Sequence, residues 1–176
     1  MKYPSVNRRK LLSASAILLL TALAVYALFF VPTGRCCFEL YERTEKRVLL
    51  RVPVQAGDTF SLEIEHSFDH TPWYEYYTVK EDWTFNLDAI AVAGFGAGTP
   101  AEMDVETYID ENGLVWMVGI DSVFDHFQWL TSDKYMKSFR HNGEEIFDFR
   151  SLPDASRVRG DIIQQKGLVS IWKMKS

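Results

Sequence analysis

At 176 residues the chain has room for one domain and an appendage, and not for two full cores. Its 47% hydrophobic and 14% aromatic content excludes wholesale disorder. Lys2, Arg8, Arg9 and Lys10 are the only charges before position 32, so the other 15 Lys and Arg, set against 24 Asp and Glu, leave the rest of the chain at −9. A body that acidic repels phosphate backbones, so nucleic acid is not an expected partner.

Leu11 to Val31 is an uncharged run of 21 residues, enough at 1.5 Å per residue to span a hydrocarbon slab of roughly 30 Å. Its Leu, Ile, Phe and Val side chains outweigh Ser13, Ser15 and Thr21 in transfer free energy. A cleaved signal peptide shares the basic start and apolar stretch, but this stretch is longer than the usual h-region and no small-x-small cleavage site follows. The reading is an uncleaved single-pass anchor over 11–31. Basic residues before it put the 1–10 leader in the cytoplasm and the body on the far side. Cys36 and Cys37 follow in a tether and first strand over 32–47. C-C lacks redox or zinc spacing, and a vicinal disulfide is strained, so cross-linking to a partner competes with no function at all.

Beyond Pro32 the pattern alternates. Residues 47–54, "RVLLRVPV", read as a strand that Pro53 places at an edge or a strand end. In "TFSLEIEHS", Phe60, Leu62, Ile64 and His66 share one face. "YEYYTVK" and "TFNLDAIAVAG" are further strands. Asn112-Gly113 and Asn142-Gly143 each lie between two strand-like runs and predict two-residue type I′ hairpins. "LVSIWKMK" reads as a last strand. Thr99-Pro100 with Glu102 predicts one capped helical turn. The expected fold is all-β, a sandwich or open barrel of antiparallel strands behind one transmembrane helix.

Residues 66–77, "HSFDHTPWYEYY", gather the chain's chemistry. His66 and His70 have zinc-protease spacing only on a helix, and this context is extended, where they lie about 13 Å apart unless the segment turns. Ser67, His66 and Asp69 are too close in sequence to align as a triad, and no G-x-S-x-G elbow occurs. Neither metal, cofactor nor catalysis is expected. In a strand Trp73, Glu75 and Tyr77 share one face and Tyr74 and Tyr76 the other, so some rings lie outside the core, as interface anchors do. "FGAGTP" at 95–100 needs positive φ, and its free N–H groups suit an anion. Arg159-Gly160-Asp161 matches an integrin tripeptide by chance.

The pair "EHSFDHTPWYE" and "GFGAGTP" resembles the DUF1850 family over roughly residues 48–152. The resemblance carries a family pattern onto His66, Ser67, Thr71, Pro72 and Glu75, then Phe95, Gly96, Ala97, Gly98 and Pro100. Trp73 joins them as aromatic contact area. Two departures stand out: His70 where the family has Lys, and Thr99 where it often has Leu. Residues 153–176 form an unmatched extension. The resemblance implies association with TAXI-type tripartite ATP-independent periplasmic (TRAP) transporters. The expected function is that of an accessory, non-catalytic subunit at the bacterial inner membrane, its β-domain periplasmic or extracellular, docking on the permease or the solute-binding protein. A small-carboxylate sensor or chaperone and a metal-dependent envelope enzyme are the alternatives.

Overall fold

A computed structural model describes residues 8–94 and 104–166. The chain divides into two compact units: the helix α1 (Arg8–Phe30) belongs to one, and Cys36–Ile163 forms the other.

Within α1, Leu12–Phe30 has a mean hydropathy of 2.2 and none of it is buried. The Ser15 hydroxyl donates to Leu12 O and that of Thr21 to Ile17 O and Leu18 O, so these polar groups are satisfied inside the helix. Length and composition meet the requirement for crossing a bilayer, a requirement that membrane anchors and signal sequences share.

The strands in chain order are β1 (Pro32–Glu42), β2 (Arg47–Val54), β3 (Thr59–Glu65), β4 (Pro72–Val79), β5 (Phe85–Val92) and β6 (Glu106–Ile109), then β7 (Val115–Phe124), β8 (Phe127–Leu130), β9 (Met136–His141), β10 (Glu144–Asp148) and β11 (Arg157–Lys166). They form two sheets, ordered β2-β1-β11-β8 and β10-β9-β3-β4-β5-β7-β6. The domain is all-β and mostly antiparallel, as the alternating pattern predicted. Pro53 sits in β2, an edge strand, the position in a sheet where proline is tolerated.

The core lies where the inner faces meet. Phe38 of β1 packs on Phe60 at 4.8 Å, Phe139 at 5.4 Å, Phe85 at 6.0 Å and Phe127 at 6.2 Å between ring centroids. Burying each such ring stabilises the fold by about 1.5–3 kcal/mol, and tilted pairs of this kind add more. A smaller layer covers the outer face of the larger sheet. Tyr76 stacks on Trp116 at 5.2 Å, and this face also carries Tyr74 and the buried Ala89 and Ala91.

Asn142 (φ 49°) and Gly143 (φ 84°) form the predicted two-residue turn between β9 and β10. The β6–β7 hairpin also forms, but its turn is not type I′. Only Gly113 takes positive φ (80°), Gly113 N–H donates to Asp110 O, and Asp110 Oδ1 accepts from Asn112 and Leu114 N–H. The Asp110 carboxylate makes a three-residue loop with one left-handed glycine the better solution.

Two findings extend the domain beyond 48–152. Cys36 and Cys37 are buried within β1 rather than exposed in a tether, and burial raises the Cys36 thiol pKa, which disfavours the reactive thiolate. β11 lies between β1 and β8 in a segment read as an extension. The short β8 was not anticipated. Arg159-Gly160-Asp161 lies inside β11, with Gly160 buried and the Arg159 guanidinium donating to Asp161. "LVSIWKMK" and the turn at Thr99 fall outside the described residues.

Candidate functional site

The cluster at 66–77 is a hairpin. His66 N–H donates to Thr71 O at 2.7 Å and His70 N–H to His66 O at 2.9 Å, and His70 closes the loop at φ 54°. The segment therefore turns, which the extended-chain estimate for His66 and His70 did not assume. The two imidazoles have separate partners. Asp69 N–H donates to His66 Nδ1 at 3.3 Å, while His70 Nδ1 lies 3.0 Å from Glu65 Oε1. Hydrogen bonds from His70 and Lys137 hold the Glu65 carboxyl below its ordinary pKa. Among the described residues no three His, Cys, Asp or Glu side chains converge as metal ligands.

These bonds hold the loop from both sides, and at its tip Phe68 is 76% exposed. Ser67 is exposed beside it, and Thr71 and Pro72 are half-buried where β4 begins. Sequence reasoning did not single out Phe68. The signal was present: a phenyl ring flanked by Ser and Asp in a turn has no face to bury.

β4 carries the other half of the site. Its pairing with β3 and β5 sets Leu62 and Ile90 opposite Glu75, and these in turn face Phe139 and Met117. Leu62, Ile90, Phe139 and Met117 are all buried core residues, so Glu75 occupies the middle of an apolar row on the inner face. Trp73 and Tyr77, two residues to either side, take the same face. The Trp73 indole N–H donates to Glu75 Oε1 at 3.2 Å and the Tyr77 hydroxyl to Oε2 at 2.6 Å. Tyr77 is buried, whereas Trp73 and Glu75 are half-buried. His66 lies parallel to Trp73, 6.1 Å away between centroids with 7° between planes.

Burial pushes the Glu75 carboxyl above its ordinary pKa, and the donors from Tyr77 and Trp73 only partly offset it. Tyr77 rises well beyond the usual phenol range, through burial and then the adjacent carboxylate. The arrangement suits recognition by an acid held among aromatic rings. A nucleophile paired with a base is not among these contacts.

The hairpin thus brings together His66, Trp73, Glu75 and the missed Tyr77, while Ser67, Thr71 and Pro72 shape its loop. Phe95, Gly96, Ala97, Gly98 and Pro100 lie outside the described residues.

A family model described as "Domain of unknown function (DUF1850)" matches residues 60–147, half of the 176-residue chain, from β3 into β10. No curated protein and no solved structure matches the chain. The match spans His66, Trp73, Glu75 and Tyr77 and most of the larger sheet, and by it the chain belongs to the DUF1850 family.

Proposed function

We propose that this protein is a membrane-tethered, non-catalytic accessory subunit of a TAXI-type TRAP transporter. In this reading α1 spans the inner membrane with its N-terminus in the cytoplasm, and the β-domain works on the periplasmic side, docking on the permease or its solute-binding protein. The transporter assignment rests on what the family resemblance implies. The docking role is supported by the hairpin tip, and its carrying observation is Phe68, 76% exposed on a loop whose backbone is fixed by internal hydrogen bonds. A pre-ordered aromatic loses little entropy on entering a partner's pocket, which is how anchor residues concentrate affinity. Five residues, 31–35, lie between Phe30, the last residue of α1, and Cys36, the first residue of the domain. A tether this short raises the effective concentration near a membrane partner, so weak contacts suffice.

The test is detergent extraction of the tagged full-length chain, with copurifying proteins identified by mass spectrometry, for wild type and Phe68→Ala. A permease or solute-binding protein recovered with wild type and depleted with the Ala variant, at unchanged melting temperature, supports the reading. Recovery of neither protein with wild type refutes the transporter role, and equal recovery with both chains refutes the role of Phe68.

A further inference from the structure

We propose that Glu75, together with Trp73 and Tyr77, forms a receptor for an organic ammonium group. The inference stands apart from the transporter assignment, which the copurification experiment tests separately. Its starting point is a mismatch on the inner face of the larger sheet. The two nearest residues on each side of Glu75 in its cross-strand row are buried hydrophobic side chains: Leu62 and Phe139 to one side, Ile90 and Met117 to the other. A leucine in that row would pack without desolvating a charge, whereas a carboxylate there costs stability unless something compensates it.

The compensation within the chain is incomplete. Both hydrogen bonds that Glu75 receives come from neutral donors, Trp73 Nε1 at 3.2 Å and the Tyr77 hydroxyl at 2.6 Å. None of the ion pairs among the described residues involves Glu75. The two donors occupy one lone pair on each oxygen and fix the carboxylate in place, leaving further acceptor positions. Glu75 and Trp73 are half-buried, so neither residue is sealed in the core.

A partner that binds the ionised carboxylate must therefore bring positive charge and N–H donors. An alkylammonium supplies both: its N–H groups reach the open lone pairs, and its carbon chain and charge lie against the electron-rich indole. A carboxylate or phosphate ligand would meet a like charge in an apolar setting. A neutral polyol would leave the charge uncompensated.

The test uses the full-length chain in a non-ionic detergent, labelled with nitrogen-15 tryptophan. The Trp73 indole N–H resonance, assigned by its loss in Trp73→Phe, is followed during titration with propylammonium chloride and, separately, sodium propionate at constant ionic strength. The expected result is a saturable shift with propylammonium, none with propionate, and binding weakened roughly tenfold or more by Glu75→Gln. A propylammonium titration that never saturates, an equal response to propionate, or unchanged affinity in the Gln variant overturns the proposal. The comparison of cation with anion uses the wild-type chain, so it decides the matter even where Glu75→Gln fails to fold.

Discussion

Gly160 of β11 is where Phe38 and Phe127, from the flanking strands β1 and β8, leave no space for a side chain, and replacing it with alanine tests the packing directly. An added Cβ would lie 2.6 Å from Phe38 Cζ and 2.8 Å from Cε2, both inside any normal contact distance, with Phe127 Cδ2 at 3.4 Å. Phe38 has little room to yield, because Phe60, Phe85, Phe127 and Phe139 surround it at centroid distances of 4.8–6.2 Å. Overpacking of this kind costs about 1–3 kcal/mol. Alanine also restricts the unfolded chain, which returns about 0.4–1 kcal/mol, so the net expectation is a loss of roughly 1–2 kcal/mol. For a domain of this length each kcal/mol lowers the melting temperature by about 3–5 °C. The assay is thermal and urea unfolding of the full-length chain in detergent, followed by tryptophan fluorescence. Phe38→Leu and the double variant complete a cycle. Shortening the ring should relieve the clash, so the double variant should be more stable than the sum of the single effects by about 1 kcal/mol. Gly160→Ala melting with wild type, or strictly additive losses, would refute the packing argument.

Glu75→Gln should stabilise the domain at neutral pH, because the Tyr77 hydroxyl can rotate to accept from the new amide and no charge is left in the apolar row. Since burial raises the folded-state pKa, the folded chain binds the extra proton, and wild-type stability falls as pH rises from the unfolded value, about 4.3, through the folded one. The urea midpoint of the Gln variant relative to wild type should therefore grow over that window and then level off; a difference that shrinks would sink this reading. Asp58 behaves oppositely. Burial raises its pKa, but hydrogen bonds from Asn142, Gln55 and His141 outweigh this, and the net shift is downward. Asp58→Asn should cost about 1–3 kcal/mol above pH ~4, with the deficit closing as pH falls through the folded pKa and wild type protonates, as chemical denaturation across pH will report. Trp83 closes the β4–β5 turn at φ 66°, a conformation that suits glycine, so Trp83→Gly should raise the unfolding free energy by up to about 1 kcal/mol, read as a higher urea midpoint; a lowered midpoint would mean that indole packing outweighs the backbone strain.

The sequence by itself determined what depends on neighbours along the chain. The charge-free length of α1, the alternation in β3 and β4, and the positive φ that Asn142-Gly143 accepts are local properties, and each appears where the residues predict it. Even at short range a competing side chain mattered, as the Asp110 carboxylate did in choosing the turn at Gly113. Period two separates Trp73, Glu75 and Tyr77 from Tyr74 and Tyr76, but it does not say which set faces the core. Only pairing of β4 between β3 and β5, with the second sheet opposite, put the carboxylate inside. The same holds for β1, β8 and β11. Cysteines, a four-residue run and a strand interrupted by Gly160 give weak local signals, and their contribution exists only through partners distant in the chain. Local propensity records the dihedral angles a segment prefers, whereas burial of Glu75 and of Gly160 against Phe38 depends on which surfaces the folded chain brings together.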